Sequence, residues 1–163
     1  MDVWINPSLI AGDERTIFLL DKPGNLWPIR LQLNRDDTMV FNARVQGISG
    51  TKFMASITSD VPLDTWSHVA LRFSGADSKV DAFLNGVLEG SANTDKELLA
   101  DIDDVIIGCY TNMGTDHFVG ILDEMRVHNK ALTDAEIEQN YNATGLAVAK
   151  DAKLSVTWGS VKI

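Results

Sequence analysis

Carboxylates make up most of the chemically able side chains in this sequence. They gather at Asp36 and Asp37, at Asp101, Asp103 and Asp104, at Asp116, and at Asp123 with Glu124. Carboxylates do two kinds of work. A pair held ~5–9.5 Å apart can cleave a glycosidic bond. About six to eight oxygens converging from separate loops can hold calcium. Asp123 and Glu124 are neighbours in an alternating segment, so they point to opposite faces of a strand and cannot flank one bond. None of the acidic groups has the spacing of an EF-hand loop. Asp101-Ile102-Asp103-Asp104 reads as a solvated acidic loop before a strand. The three histidines, His68, His117 and His128, lack the H-x-x-x-H spacing of a zinc site, and no G-x-S-x-G elbow is present. His68 and His128 alternate within strands and read as satisfied or solvated sheet residues. Cys109 follows Val105-Ile106-Ile107-Gly108 and reads as a small buried hydrophobe, with His117 the nearest partner in sequence for thiol chemistry.

Sugar binding needs other side chains: aromatic faces beside hydrogen-bonding groups, on loops over a rigid sheet. Trp27, in PGNLWPIR, falls in a turn between strands and is the best exposed candidate. Tyr110, in CYTNMGTDHF, shares a polar loop with Asn112, Asp116 and His117. For that loop a plain connection remains the alternative to a binding rim. Trp4 and Trp66 open strands and are expected in the core, and Trp158 is expected to pack in the tail.

The elements that must position these residues are short strands. Alternation predicts Val3–Asn6, Thr16–Asp21, Ile29–Asn34, Met39–Val45, Phe53–Thr58, Ser67–Phe73, Val80–Asn85, Val105–Gly108 and Phe118–His128. A spacing near ten residues with turn signals between is the mark of a sandwich or barrel. Asn85-Gly86 suits a type I′ hairpin turn, and residues 34–37 suit another turn. One helix is predicted, from Asp134 to Asn142. Thr133 and Glu136 form a capping box at its start, with Leu132 and Ile137 at the staple positions. Asn142-Ala143-Thr144 matches a glycosylation sequon but reads as the helix end. In the last strand Val119, Ile121, Asp123, Met125 and Val127 are expected on one face. A carboxylate on an apolar face needs a partner: backbone N–H groups, an arginine, or a cation.

The composition sets outer bounds. The chain has 163 residues, 45% hydrophobic and 23% charged, which suits one domain with a substantial core. A net charge of −9 argues against nucleic acid and anionic membrane partners. No apolar run approaches the ~20 residues of a membrane span. Met1-Asp2-Val3-Trp4 has no basic and apolar leader pattern. One cysteine excludes an internal disulfide.

Four segments in order carry a family likeness: WSHVALRF (Trp66–Phe73), FLNGVL (Phe83–Leu88), IIGC (Ile106–Cys109) and HFVGILDEMRVHNKALTDAEI (His117–Ile137). Together they resemble laminin G-like domains of the concanavalin A-like lectin/glucanase superfamily. The resemblance implies an all-β, jelly-roll β-sandwich of two antiparallel sheets with one short helix near the C-terminus. It spans about Asp2 to Tyr141 and implies one domain over residues 1–145, leaving 146–163 as a tail in which Leu154, Val156 and Trp158 alternate as a further strand. It also implies that strands preceding Val3 are absent, so an edge is open for that tail or a partner strand. By resemblance, Asp123 matches a residue that helps hold a structural calcium, but the usual co-ligand segment is missing. Calcium and a protein partner for Asp123 therefore both stay open. The E-x-D-x-x-E triplet of the related glucanases is absent. The expected function is a non-catalytic recognition module of a larger extracellular or cell-surface protein, binding carbohydrate or protein. The alternatives are a structural or adhesion spacer and a degenerate glycoside hydrolase relative. Nothing in the sequence sets an oligomeric state.

Overall fold

The computed structural model describes residues 1–8, 15–22, 24, 26–34, 39–100, 102–110 and 116–143. These form two five-stranded antiparallel sheets and one helix. The first sheet has the order β10 (Gly120–Arg126), β1 (Asp2–Pro7), β6 (Ser67–Ser74), β7 (Lys79–Leu84) and β8 (Val87–Asn93). The second runs β5 (Lys52–Ser56), β4 (Phe41–Gln46), β3 (Leu26–Leu33), β2 (Arg15–Lys22) and β9 (Asp104–Ile107). β4 and β5 lie over β6, β7 and β8, so the sheets stack face to face.

Period-two alternation builds the core. On β4, Phe41, Ala43 and Val45 point inward and Asn42, Arg44 and Gln46 point outward. On β6 the inward set is Val69, Leu71 and Phe73; on β7 it is Val80, Ala82 and Leu84. The hairpin between β7 and β8 turns at Asn85 (φ 50°) and Gly86 (φ 81°), as the Asn-Gly pair predicts. Helix α1 (Asp134–Asn142) starts on the predicted capping box. Glu136 N donates to Thr133 Oγ1 at 3.2 Å, and Thr133 N donates to Glu136 Oε2 at 2.8 Å. Leu132 and Ile137 then bury against Ala70 and Phe83 on the outer face of the first sheet. That face is covered by the helix, and the outer face of the second sheet is not.

Three expectations need correction. Trp27 lies inside β3, and its ring is 2% exposed. Trp4 and Trp66 are half-buried and lie outside the core. The strand around Asp123 does not keep its alternation. Asp2 opposes Arg126 while Trp4 opposes Asp123, so β10 carries an extra residue, and Glu124 sits at φ 50°. Leu122, opposite Ile5, points inward, and the bulge brings Met125 to that same side, leaving Val119, Ile121 and Val127 exposed. The turn at 35–38, Asn112 and the tail 146–163 lie outside the described residues.

Candidate functional site

The outer face of the second sheet is polar yet deeply set. Thr16, Arg30, Gln32, Asn42 and Gln46 are all at most 4% exposed, although they face away from the core. Each follows from alternation on β2, β3 and β4, whose inward partners are Leu31, Leu33, Phe41, Ala43 and Val45. Buried polar groups must find partners, and here they pair with one another. Arg30 Nη2 donates to Thr16 Oγ1 at 2.8 Å and to Asp116 Oδ2 at 3.3 Å. Arg44 Nη1 donates to Gln32 Oε1 at 3.0 Å. Ser56 Oγ donates to Asn42 Oδ1 at 2.5 Å, and Asn42 Nδ2 donates to Asn34 Oδ1.

Aromatic rings are built into the same face. The Arg30 guanidinium lies 4.3 Å from the centre of the Tyr110 ring. Arg44 and Lys52 lie 4.9 Å and 4.7 Å from the centre of the Trp27 ring. The Trp27 backbone N–H donates to Gln46 Oε1 at 3.1 Å, which ties the indole to β4. Arg30 and Arg44 are direct cross-strand partners on β3 and β4. The Trp27 and Tyr110 environments are therefore joined through two neighbouring guanidinium groups, each over a ring.

Of the residues singled out from sequence, Trp27, Tyr110 and Asp116 meet on this face. Asp116 is buried at φ 59°, and its carbonyl accepts from Thr16 N at 3.0 Å. His117 is exposed beside it, bridged to Thr16. Asn112 lies outside the described residues. Arg30, Arg44, Gln32 and Lys52 were missed. For the first three the only sequence signal was polar residues at every second position of the apolar runs IRLQL and FNARV, and Lys52 lies in neither.

Asp123 belongs elsewhere. Its Oδ1 accepts from Glu124 N at 3.0 Å, while the Glu124 carboxylate is turned to Arg126 at 2.7 Å. Backbone N–H donation is one of the two partners open to Asp123 from sequence. Among the described residues no group of three or more Asp, Glu, His or Cys side chains is arranged to hold a metal ion. Asp21, beside Asp103 and Asp104, has its carboxyl pushed up, first by burial and then by those two like charges, against a backbone hydrogen bond that lowers it.

A second polar cluster sits on the helix-covered side and was not foreseen. Asp2 is 1% exposed and accepts four hydrogen bonds. Its Oδ1 takes His68 Nε2 at 3.1 Å and Arg126 Nη1 at 3.2 Å; its Oδ2 takes His128 Nε2 at 2.9 Å and Asn140 Nδ2 at 3.2 Å. Burial opposes ionisation of this carboxyl, but the two histidine hydrogen bonds and the His68 and Arg126 charges outweigh it, holding the pKa below its ordinary value. Trp4, His68 and Tyr141 pack ring against ring beside the cluster, which ties α1 to the sheet. Residues from β6, β10, the segment after it and α1 all converge on Asp2, so the cluster serves as a clamp.

Comparison with known proteins places this architecture in a family. A laminin-G-type model of the concanavalin A-like lectin/glucanases superfamily matches residues 1–138, and the chain belongs to that family. A sequence comparison with curated proteins gives no match. Among solved structures, the CBM40 module of the Ruminococcus gnavus IT-sialidase superposes with a TM-score of 0.68 at 17% identity, covering 86% of this chain and 80% of that one. The same module has been solved bound to α2,3-sialyllactose. A heptameric pentraxin from Limulus polyphemus gives 0.64 at 19% identity, over 86% and 67% of the two chains. Domain 4 of an extracellular arabinanase from Geobacillus stearothermophilus, solved with arabinotriose, gives 0.62 at 18% identity, over 85% and 63%. At these identities the likeness shows the shared sandwich fold.

Proposed function

We propose that this chain is a non-catalytic carbohydrate-binding module, and that it seats its ligand on the outer face of the second sheet. The observation that carries the reading is the set of ring-backed cations there: Arg30 on Tyr110, and Arg44 and Lys52 on Trp27. A sugar offers hydroxyls to hydrogen-bond and an apolar ring face to pack. A polar sheet with embedded aromatics meets both needs. On the helix-covered face the one ring-backed cation among the described residues, Arg72 on Phe83, is tied to Asp81 and Asp134. The half-buried Arg44 guanidinium and the exposed Lys52 ammonium also favour a sugar bearing a carboxylate. Folds of this kind solved with sialyllactose and with arabinotriose are consistent with such a role.

Hydrolysis is not favoured. Asp116, the carboxylate at this stretch, is held by Arg30, and no second carboxylate among the described residues is shown facing it across a gap for a sugar ring. The module fits a larger extracellular protein, in which it would bring a neighbouring domain to a glycan. No helix among the described residues is long and apolar enough to cross a membrane.

A panel of neutral and acidic glycans, followed by calorimetric titration, tests the reading. Arg44→Gln and Lys52→Gln should each weaken binding while the melting temperature holds. Tyr110→Ala should do the same. Trp27→Ala is a poorer probe, because that ring is buried and its loss also disturbs packing. Absence of binding to any glycan, or binding indifferent to Arg44, Lys52 and Tyr110, refutes the proposal.

A further inference from the structure

The outer face of the second sheet changes character at its edge. β5 is the last strand on that side, and register sets its outward positions: Lys52 stands opposite Gln46, Met54 opposite Arg44 and Ser56 opposite Asn42. Directly opposed residues share a face of a sheet. Phe53 and Ala55, which lie between them, pack into the core. The polar floor of Thr16, Arg30, Gln32, Asn42 and Gln46 is at most 4% exposed. Met54, in contrast, is 50% exposed, Lys52 is exposed, and Arg44 and Ser56 are half-buried. A ligand laid on this side of the face meets β5 and Arg44 before it meets the floor.

The three side chains of β5 offer three different contacts. Lys52 is a cation, with its ammonium 4.7 Å from the centre of the Trp27 ring. Met54 is the one apolar side chain exposed at the outward positions of β4 and β5. Its thioether is flexible and polarisable, and it moulds to small apolar groups. It lies about 7 Å from Lys52 along the strand. Across the strand its Cβ is about 5 Å from that of Arg44. Ser56 offers an acceptor, and a chain of hydrogen bonds makes it so. Asn42 Nδ2 donates to Asn34 Oδ1, so Asn42 Oδ1 is turned to accept, and Ser56 Oγ donates to it at 2.5 Å. A hydroxyl has one proton, so Ser56 presents lone pairs to anything above it.

We propose that Lys52, Met54 and Ser56, together with Arg44, select an acidic sugar that also carries an N-acyl group. This rests on the reading of the outer face as a glycan-binding surface and names the sugar chemistry it takes. The carboxylate lies between the Lys52 ammonium and the Arg44 guanidinium. The acyl methyl packs on the Met54 thioether, and the amide N–H of the same substituent donates to Ser56 Oγ. Apolar contact and acceptor stand side by side on β5, as methyl and N–H do on an acylamino group. A hydroxyl in that position loses the methyl contact and sets a polar group against Met54. A neutral N-acyl sugar gives the two cations no anion.

Three sugars built on the same ring separate these contacts. Glucuronic acid carries the acid alone, N-acetylglucosamine the acyl group alone, and N-acetylmuramic acid both. Each is titrated into the full chain and followed by backbone amide NMR shifts. N-acetylmuramic acid should bind at least about tenfold more tightly than either of the others, the usual worth of a small apolar group in a fitting subsite, and should shift the amides of β5. Met54→Ser should erase the gap between N-acetylmuramic acid and glucuronic acid. Lys52→Gln should weaken both acids by a similar factor and so keep their ratio. Both side chains are exposed, so the amide shifts of β1 should stay in place in each variant. Equal affinity for the two acids, or a ratio that survives Met54→Ser, overturns this inference and leaves the broader reading of the face standing. Binding of none of the three sugars overturns it as well, and silence across the wider glycan panel takes the broader reading with it.

Discussion

Replacing Asp2 with Asn keeps the side chain's shape and removes its charge, which isolates what the buried carboxylate does. Four donors converge on its two oxygens, from His68, Arg126, His128 and Asn140. An amide presents one oxygen and one NH2 group. Whichever way it is turned, two of the four donors then face another donor. Arg126 is half-buried and keeps Glu124 as a second partner, but His68 is wholly buried and its Nδ1 already lacks one. Breaking a buried charged pair from one side costs about 3–5 kcal/mol. For a domain of this size each kcal/mol shifts the melting temperature by about 2–4 °C, so Asp2→Asn should melt roughly 6–20 °C lower at pH 7. The pH dependence fixes the cause. The Asp2 carboxyl is held below its ordinary value of 3.8, so its contribution is complete above that pH and is lost as pH falls toward the folded-state value. Thermal unfolding followed by circular dichroism across pH 2–8 should therefore show a constant gap between the two proteins at neutral pH that narrows below about pH 4. A loss under about 1 kcal/mol at pH 7, or a gap that stays constant into acid, refutes the idea that this carboxylate clamps the helix to the sheet.

Other perturbations follow from local geometry. Thr133→Ala removes the helix cap and should cost about 1 kcal/mol by urea unfolding. Ile137→Ala empties the contact between α1 and the first sheet and should cost about 2–5 kcal/mol in the same assay. A Cβ at Gly90 would fall 2.1 Å from the Ser56 carbonyl oxygen, so Gly90→Ala should cost about 1–3 kcal/mol and shift β8 amide resonances near β5. Asp21→Asn should raise the melting temperature at pH 7 and give no gain below pH 3, because a carboxyl whose pKa is raised on folding weakens the fold once both states ionise. A chelator should leave the melting temperature unchanged, since the described acidic groups build no cage for a cation.

The architecture was legible because it rests on local rules. Alternation in ALRF and AFL placed β6 and β7, Asn85-Gly86 placed their hairpin partner, and Thr133 with Glu136 placed the helix start to the residue. What escaped depends on residues far apart in sequence. Asp2 is unremarkable until His68, His128 and Asn140 arrive from 66, 126 and 138 positions away. Trp27 looked like a turn residue because Pro23, Gly24 and Pro28 surround it, and only the pairing of Leu26 with Lys22 on β2 shows that strand structure begins at Leu26. The bulge at Glu124 is a defect in period two that composition does not announce. It lies past Asp123, which stays on the same side as Ile121, and it brings Met125 to the inner side instead.

The same contrast explains where a ligand belongs. A sandwich has two outer faces, and each must be dealt with separately. On the first sheet, apolar Ala70 and Phe83 point outward, so the fold needs Leu132 and Ile137 of the helical segment to cover them. On the second, the outward positions of β3 and β4 carry Arg30, Gln32, Asn42, Arg44 and Gln46, which cannot support an apolar cover and satisfy one another instead. A scaffold needs only solvent-tolerant residues there, and single charged side chains would serve. Stacking two directly opposed guanidinium groups on aromatic rings places like charges side by side, which is unfavourable unless something offsets it. Asp116 offsets the charge of Arg30, and Gln32 Oε1 accepts from Arg44. The exposed Lys52 beside them offers an acceptor-rich ligand a cation at the rim of the face, and this favours the proposed recognition over mere support.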